Sequence, residues 1–237
     1  MKQLHIVMAH GHMIPMIQMA KLFTSRGLKA TIISTPSFAA PITEAQLSGF
    51  DIGLAVTPFP PQGSSSLPQN VVAFDQMTTP DLTTNFLRAT ELLHEPFEEL
   101  LQQLRPDCLV SDIFLPWTAD SAAKFRILRL AFYGTSYFTR CVSEQIELHK
   151  PFNSMTMSRS SSRTQMNESW KKTYGEVVNS FDELESAYAN HYKNVIGRKA
   201  WGIGPVENQW GELVVLFNRE YDTEITRIYR LEYLYIW

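Results

Sequence analysis

The stretch "VMAHGHMIPMIQMAKLF", residues 7–23, decides how the chain begins to fold. Its left end closes an apolar burst of strand length, "LHIVM" at 4–8, and its right end carries Met16, Met19, Ala20 and Phe23 on one helical stripe. Pro15 suits the first turn of that helix, where a missing N–H costs little, and Gly27 stands where a left-handed stop is expected. His10, Gly11 and His12 fill the turn between strand and helix. With "KATIIS" at 29–34 as the next strand, the segment reads as a βαβ unit.

The same rhythm continues along the chain. Apolar bursts recur at 52–59 ("IGLAVTPF"), 107–112 ("DCLVSD"), 128–133 ("LRLAFY"), 176–181 ("EVVNSF") and 199–204 ("KAWGIG"). Several are apolar on both faces, which argues for strands buried between two helical layers: an α/β fold, a Rossmann-like parallel sheet with helices on both faces. Between them the spacing predicts helices over 84–104, with Pro96 kinking or restarting the helix, and over 116–125, 136–149 and 182–196. Asp182 is the expected N-cap of the last, with Glu185 completing a capping box. Residues 153–169, polar and serine-rich, read as a flexible connection, and the aromatic-rich tail 207–237 leaves the α/β rhythm.

Composition narrows the function. The chain has 237 residues, of which 44% are hydrophobic, enough to bury a core. Its 21 Lys and Arg are scattered among 24 Asp and Glu, which argues against a nucleic-acid or anionic-membrane partner. Cys108 and Cys141 show neither CxxC nor Cys/His spacing, so no disulfide framework and no zinc site is expected. The N-terminus lacks a secretory apolar region, and no run approaches the ~18 apolar residues that span a bilayer, so a cytoplasmic protein is expected.

In an open parallel sheet, ligands gather beyond the carboxyl ends of the strands. His10, Gly11 and His12 occupy that edge after the first strand, and Asp112 falls at the equivalent end of "DCLVSD". Gly11 lets backbone approach a ligand, and the helix N-terminus favours anions. Should the two strands be neighbours, the carboxylate would fix the imidazole's tautomer, and the imidazole could take a proton from a hydroxyl nucleophile. From residue type alone a histidine at a strand-to-helix turn is more often a hydrogen-bonded loop residue, and Asp112 is open to a simpler reading as a cap of the following turn. A His10/His12 metal pair lacks a third ligand at useful spacing, so no metal is expected.

The runs "AHGHMIPMIQMAKLFTSRGLKATIISTP", "RPDCLVSDIFLPWTADSAAKF", "YGTSYF", "SEQIELHKP", "GEVVNSFDELESAYANHY" and "GRKAWGIGPV" together resemble the N-terminal half of plant family-1 UDP-glycosyltransferases, most of all the branch acting on flavonoids and other phenolics. The resemblance covers most of residues 1–206 and implies the acceptor-binding N-terminal domain of a GT-B enzyme. It implies His12 as the general base, Asp112 as its partner, and inverting transfer of a hexose, glucose foremost, from a UDP-sugar to a hydroxyl of a small plant metabolite. No metal or other cofactor enters, the UDP-sugar being a co-substrate. By the same resemblance Thr135 touches the donor sugar, and His10 is a pocket wall beside Gly11.

The family's tryptophan- and glycine-rich donor signature is absent from these residues, and the resemblance stops after "IGPV". The expectation is therefore a chain without its C-terminal donor domain, binding UDP-sugar only when one is supplied and inactive alone. Two other readings stand beside it. One is a non-catalytic fragment that binds acceptors, associates with itself or pairs with full-length relatives. The other is a truncated gene product without a stable role.

Overall fold

The computed structural model describes residues 2–7, 10–59, 67–68, 71–149 and 161–204; the tail 207–237, residues 153–160 and the side chain of His10 lie outside the described residues. Seven strands, β1 (Lys2–Val7), β2 (Lys29–Ser34), β3 (Ile52–Val56), β4 (Cys108–Asp112), β5 (Leu128–Tyr133), β6 (Gly175–Val178) and β7 (Ala200–Gly202), form one sheet in the order β3-β2-β1-β4-β5-β6-β7. All neighbours are parallel. Every residue of β4 and of β6 is buried, and successive side chains point to opposite faces, so both faces of the sheet are covered there. The order reverses between β1 and β4, which makes that pair of strand ends the switch point where a ligand crevice opens.

Helix α1 (His10–Thr24) buries Met16, Met19, Ala20 and Phe23, the stripe read from the sequence, together with Met13 and Ile17. Each of the larger of these side chains, the methionines, Ile17 and Phe23, contributes about 1.5–3 kcal/mol on removal from water. Gly27, at φ 79°, stops the helix in the left-handed conformation that a Cβ disfavours. One expectation is corrected here. The helix begins at His10, so Pro15 lies inside it rather than in its first turn, and supplies no N–H to the Gly11 carbonyl.

The remaining helices are α2 (Ala39–Leu47), which the sequence reading passed over, α3 (Pro80–Glu91), α4 (His94–Leu104), α5 (Thr118–Lys124), α6 (Tyr137–His149), α7 (Ser161–Lys171) and α8 (Ser186–Asn190). The predicted 84–104 helix is two: it breaks at Leu92 and Leu93 and restarts at His94, placing Pro96 in a first turn whose amides need no helical partner. The flexible connection expected over 153–169 is corrected in its second half, which is α7. That helix has almost no apolar periodicity and is held at its end, where Ser169 is buried and the Trp170 indole N–H donates to Glu176. Helix α8 starts at Ser186 and continues as a π turn, His191–Val195. The expected capping box does not form: Asp182 pairs with Lys193 at 2.6 Å, and Glu185 turns its side chain elsewhere.

Candidate active site

Strand pairing brings the two catalytic candidates together. In the β1–β4 register Gln3 lies beside Cys108 and Leu4 beside Leu109, so the carboxyl ends of the two strands are adjacent. His12, in the first turn of α1, reaches across to Asp112, the last residue of β4, and Nδ1 lies 2.6 Å from Oδ2. The other carboxylate oxygen accepts the Phe114 amide at 2.9 Å, so Asp112 caps its own turn and holds the imidazole at once. One side chain thus makes both contacts, to the following turn and to the imidazole.

The electrostatics follow from exposure. The Asp112 side chain is 3% exposed and the His12 ring 19%, so the pair is shielded from water on the carboxylate side and reachable on the imidazole side. A carboxylate only accepts hydrogen bonds, so Nδ1 is the donor in this pair. The ring stacks on Phe114 (centroids 5.3 Å, 25°) and meets the edge of Phe132 (5.8 Å, 86°), which limits its rotation. Phe74 stacks on Phe114 at 4.3 Å and meets Phe86 at 6.0 Å, and Phe86 stacks on Phe59, so an aromatic wall leads away from the imidazole.

Gly134, just past the end of β5, is part of this geometry. A Cβ there would stand 2.7 Å from His12 Nε2, closer than a carbon can sit, so the ring occupies its place only because residue 134 has no side chain. Sequence reasoning missed Gly134, Phe114 and Phe132; the glycine of "YGTSYF" and the phenylalanine two residues after Asp112 were the available signals. Thr135 follows Gly134 and is exposed, on the same turn as the histidine's neighbour. Gly11 is exposed on the first turn of α1 with open space around it, and His10 begins that helix. Below the site, burial lowers the Arg129 guanidinium to about 10 against the opposing pull of Tyr133, Asp112 and Asp120; its Nε donates to Ser111 at 2.6 Å and to Thr118 at 3.1 Å.

A cleft of about 540 Å³ between α5 and α7, lined by Trp117, Asp120, Ser169 and Lys172 among others, includes none of the predicted site residues. No group of three or more metal-ligating side chains gathers among the described residues.

No family model matches the chain. Over 245 aligned positions it is 42% identical to the scopoletin glucosyltransferase of Nicotiana tabacum, a match covering 87% of this chain and 51% of that protein. It is 40% identical to the UDP-glucose flavonoid 3-O-glucosyltransferase 7 of Fragaria ananassa, over 86% of this chain and 48% of that one. The chain belongs to the plant UDP-glycosyltransferases. As a member of that family it shares its fold with UGT73P12 of Glycyrrhiza uralensis, solved with glycyrrhetinic acid 3-O-monoglucuronide: TM-score 0.73, 27% identity, 92% of this chain and 53% of that one. The sheet is thus the Rossmann-like N-terminal domain of the GT-B architecture. This UDP-glycosyltransferase chain spans about half the length of the curated relatives it matches.

Proposed function

We propose that this chain is the acceptor-binding half of a glycosyltransferase that moves a hexose, glucose by likeness to its relatives, from a UDP-sugar to a hydroxyl of a small plant phenolic. The observation that carries the reading is the 2.6 Å bond between His12 Nδ1 and a shielded carboxylate, the arrangement that orients an imidazole acting as a base through Nε2. The acceptor hydroxyl gives its proton to Nε2 while its oxygen bonds to the anomeric carbon. The bond from that carbon to UDP breaks, its electron pair leaves on the diphosphate, and attack from the opposite face inverts the centre. Asp112 stabilises the imidazolium that forms and keeps the ring in register.

The wall of Phe114, Phe74 and Phe86 supports a flat aromatic acceptor, which stacks at little entropic cost. Within the proposal, Thr135 faces the donor sugar, and His10 and Gly11 border the acceptor. Within the proposal, the UDP-sugar is held by a C-terminal donor domain joined to this half. The proposal places the protein in the cytoplasm. Separately, among the described residues no helix is long and apolar enough to cross a membrane.

Two assays test the reading. Calorimetry of the purified chain with scopoletin and a flavonol panel should show binding without nucleotide sugar. Fusing residues 1–206 to the C-terminal half of the Nicotiana relative should give transfer from UDP-glucose that His12→Ala abolishes. A fusion that is active and indifferent to His12→Ala overturns the assignment.

A further inference from the structure

The glutamate expected to cap α8 binds a different helix, 48 residues away in sequence. Glu185 Oε2 accepts the Tyr137 amide at 2.9 Å and the Ser180 hydroxyl at 2.5 Å, and Oε1 accepts the Phe138 amide at 3.2 Å. These amides open α6, where first-turn N–H groups have no helical partner and where a negative charge is favoured by the helix dipole. Ser180 lies just beyond β6, so one carboxylate ties the segments that follow β5 and β6 to each other.

What lies directly upstream of those amides matters for the chemistry. Strand β5 ends at Tyr133 and α6 begins at Tyr137, so residues 134–136 are the whole connection. Its first residue is Gly134, which stands against His12 Nε2. The strand end is held by the Asn179 amide, which donates to the Tyr133 carbonyl at 3.3 Å. The helix end is held by Glu185. A three-residue connection pinned at both ends has little slack, so moving its far anchor moves the glycine.

We propose that Glu185 is a positioning residue for the catalytic imidazole: by clamping the first turn of α6 to the segment after β6, it sets where Gly134 stands against His12. The inference rests on the proposed role of His12, but the contact chain from Glu185 to the imidazole exists independently of any sugar transfer. A displacement of about 1 Å at a general base lowers rate by up to a hundredfold, so an anchor outside the site has leverage on it. Glu185 itself touches no reacting atom.

The test uses the full 237-residue chain with Glu185→Ala, Glu185→Gln and, as a control in the same loop, Asp182→Asn, which removes only the pair with Lys193. Nuclear magnetic resonance follows three signals: hydrogen exchange at the Tyr137 and Phe138 amides, the Gly134 amide, and the His12 ring. The expected result for Glu185→Ala is exchange at Tyr137 and Phe138 faster by on the order of tenfold or more, with shifted Gly134 and His12 resonances. Glu185→Gln, which keeps one acceptor oxygen, should give smaller shifts in the same signals, and it carries the test alone should the alanine variant not fold. Asp182→Asn should leave all three unchanged. Faster exchange at Tyr137 and Phe138 with unmoved Gly134 and His12 signals would reduce Glu185 to a helix cap and overturn the proposal. Because no transfer is measured, a failure of the catalytic reading in the fusion assay leaves these outcomes separately readable.

Discussion

Two buried carboxylates on the same sheet are used in opposite ways. Asp112, at the end of β4, holds one amide and one imidazole, and that imidazole shows a face to solvent. Glu176, in β6, is 1% exposed and takes Arg140 Nε at 3.1 Å, the Tyr192 hydroxyl at 2.8 Å and the Trp170 indole, with Arg198 at 3.9 Å. Arg140 also lies over the Tyr133 ring at 3.6 Å. Burial lowers the tendency of this guanidinium to stay charged, yet Glu176, Tyr133 and Tyr192 together outweigh it and push its pKa above the ordinary arginine value. Burial likewise raises the Tyr133 phenol, to about 12, against the pull of Arg140. The second cluster is therefore charge locked in place near neutral pH, a clamp joining β6 to α6, α7 and the π turn. The first, under the proposed function, is a charge spent on a group that exchanges a proton with an outside molecule. Burial of a carboxylate does not distinguish chemistry from architecture; the partner it holds does.

Mutations should separate the two sites by kind of damage. The largest effect is on rate: in the fusion enzyme His12→Ala should lower kcat by about 10²–10⁴ while thermal unfolding of the N-terminal half barely moves. Asp112→Asn should approach the same loss, because an amide can donate to Nδ1 and so reverse the tautomer. Next comes Glu176→Ala, which strands Arg140 inside the fold and should cost about 3–5 kcal/mol in urea unfolding. Its residual folded fraction should retain the unaltered acceptor affinity. A Glu176 variant that folds normally, or a His12 variant that unfolds, would break the contrast.

The sequence made the first site legible and the second nearly invisible, for a physical reason. Strands such as "DCLVSD" and "LRLAFY" are short, mostly apolar bursts set between helical stretches, so a parallel sheet could be read, and with it the strand end that carries Asp112. His12 and Asp112 then needed only adjacency of β1 and β4, which the switch in strand order provides. Glu176 and Arg140 sit inside elements read correctly as strand and helix, but their pairing is set by three-dimensional packing that no spacing encodes. Helix α7 escaped because its anchor is that same cluster through Trp170 rather than an apolar stripe. Glu185 was read as a local cap because sequence offers only local partners; its actual partners are the amides of α6.

A smaller effect sharpens the account of the imidazole's surroundings. Gly134→Ala adds a Cβ 2.7 Å from Nε2, and the 2.6 Å bond to Asp112 prevents the ring from simply withdrawing. Either the ring leaves Asp112 or the turn shifts outward. The expected outcome is a loss of about 1–3 kcal/mol in urea unfolding and a fall in kcat on the order of tenfold to a hundredfold in the fusion enzyme. An unchanged kcat would show that the glycine is incidental to the base.

The smallest expected effect is a pH dependence, and it separates Glu185 from a neutral contact. Burial disfavours its charge, but hydrogen bonds from Ser180, the Phe138 and Tyr137 amides and Ser136 outweigh burial and hold its carboxyl below the ordinary glutamate value. A carboxyl lowered in the folded state stabilises fully above its unfolded value and loses that contribution as pH falls through the folded one. The stability gap between the chain and Glu185→Gln, measured by urea unfolding, should therefore be constant near neutrality and narrow as pH drops below about 4.5. A gap that stays flat into acid would mean that the side chain acts through shape alone, because only the ionised form accepts the Ser180, Tyr137 and Phe138 hydrogen bonds with both oxygens.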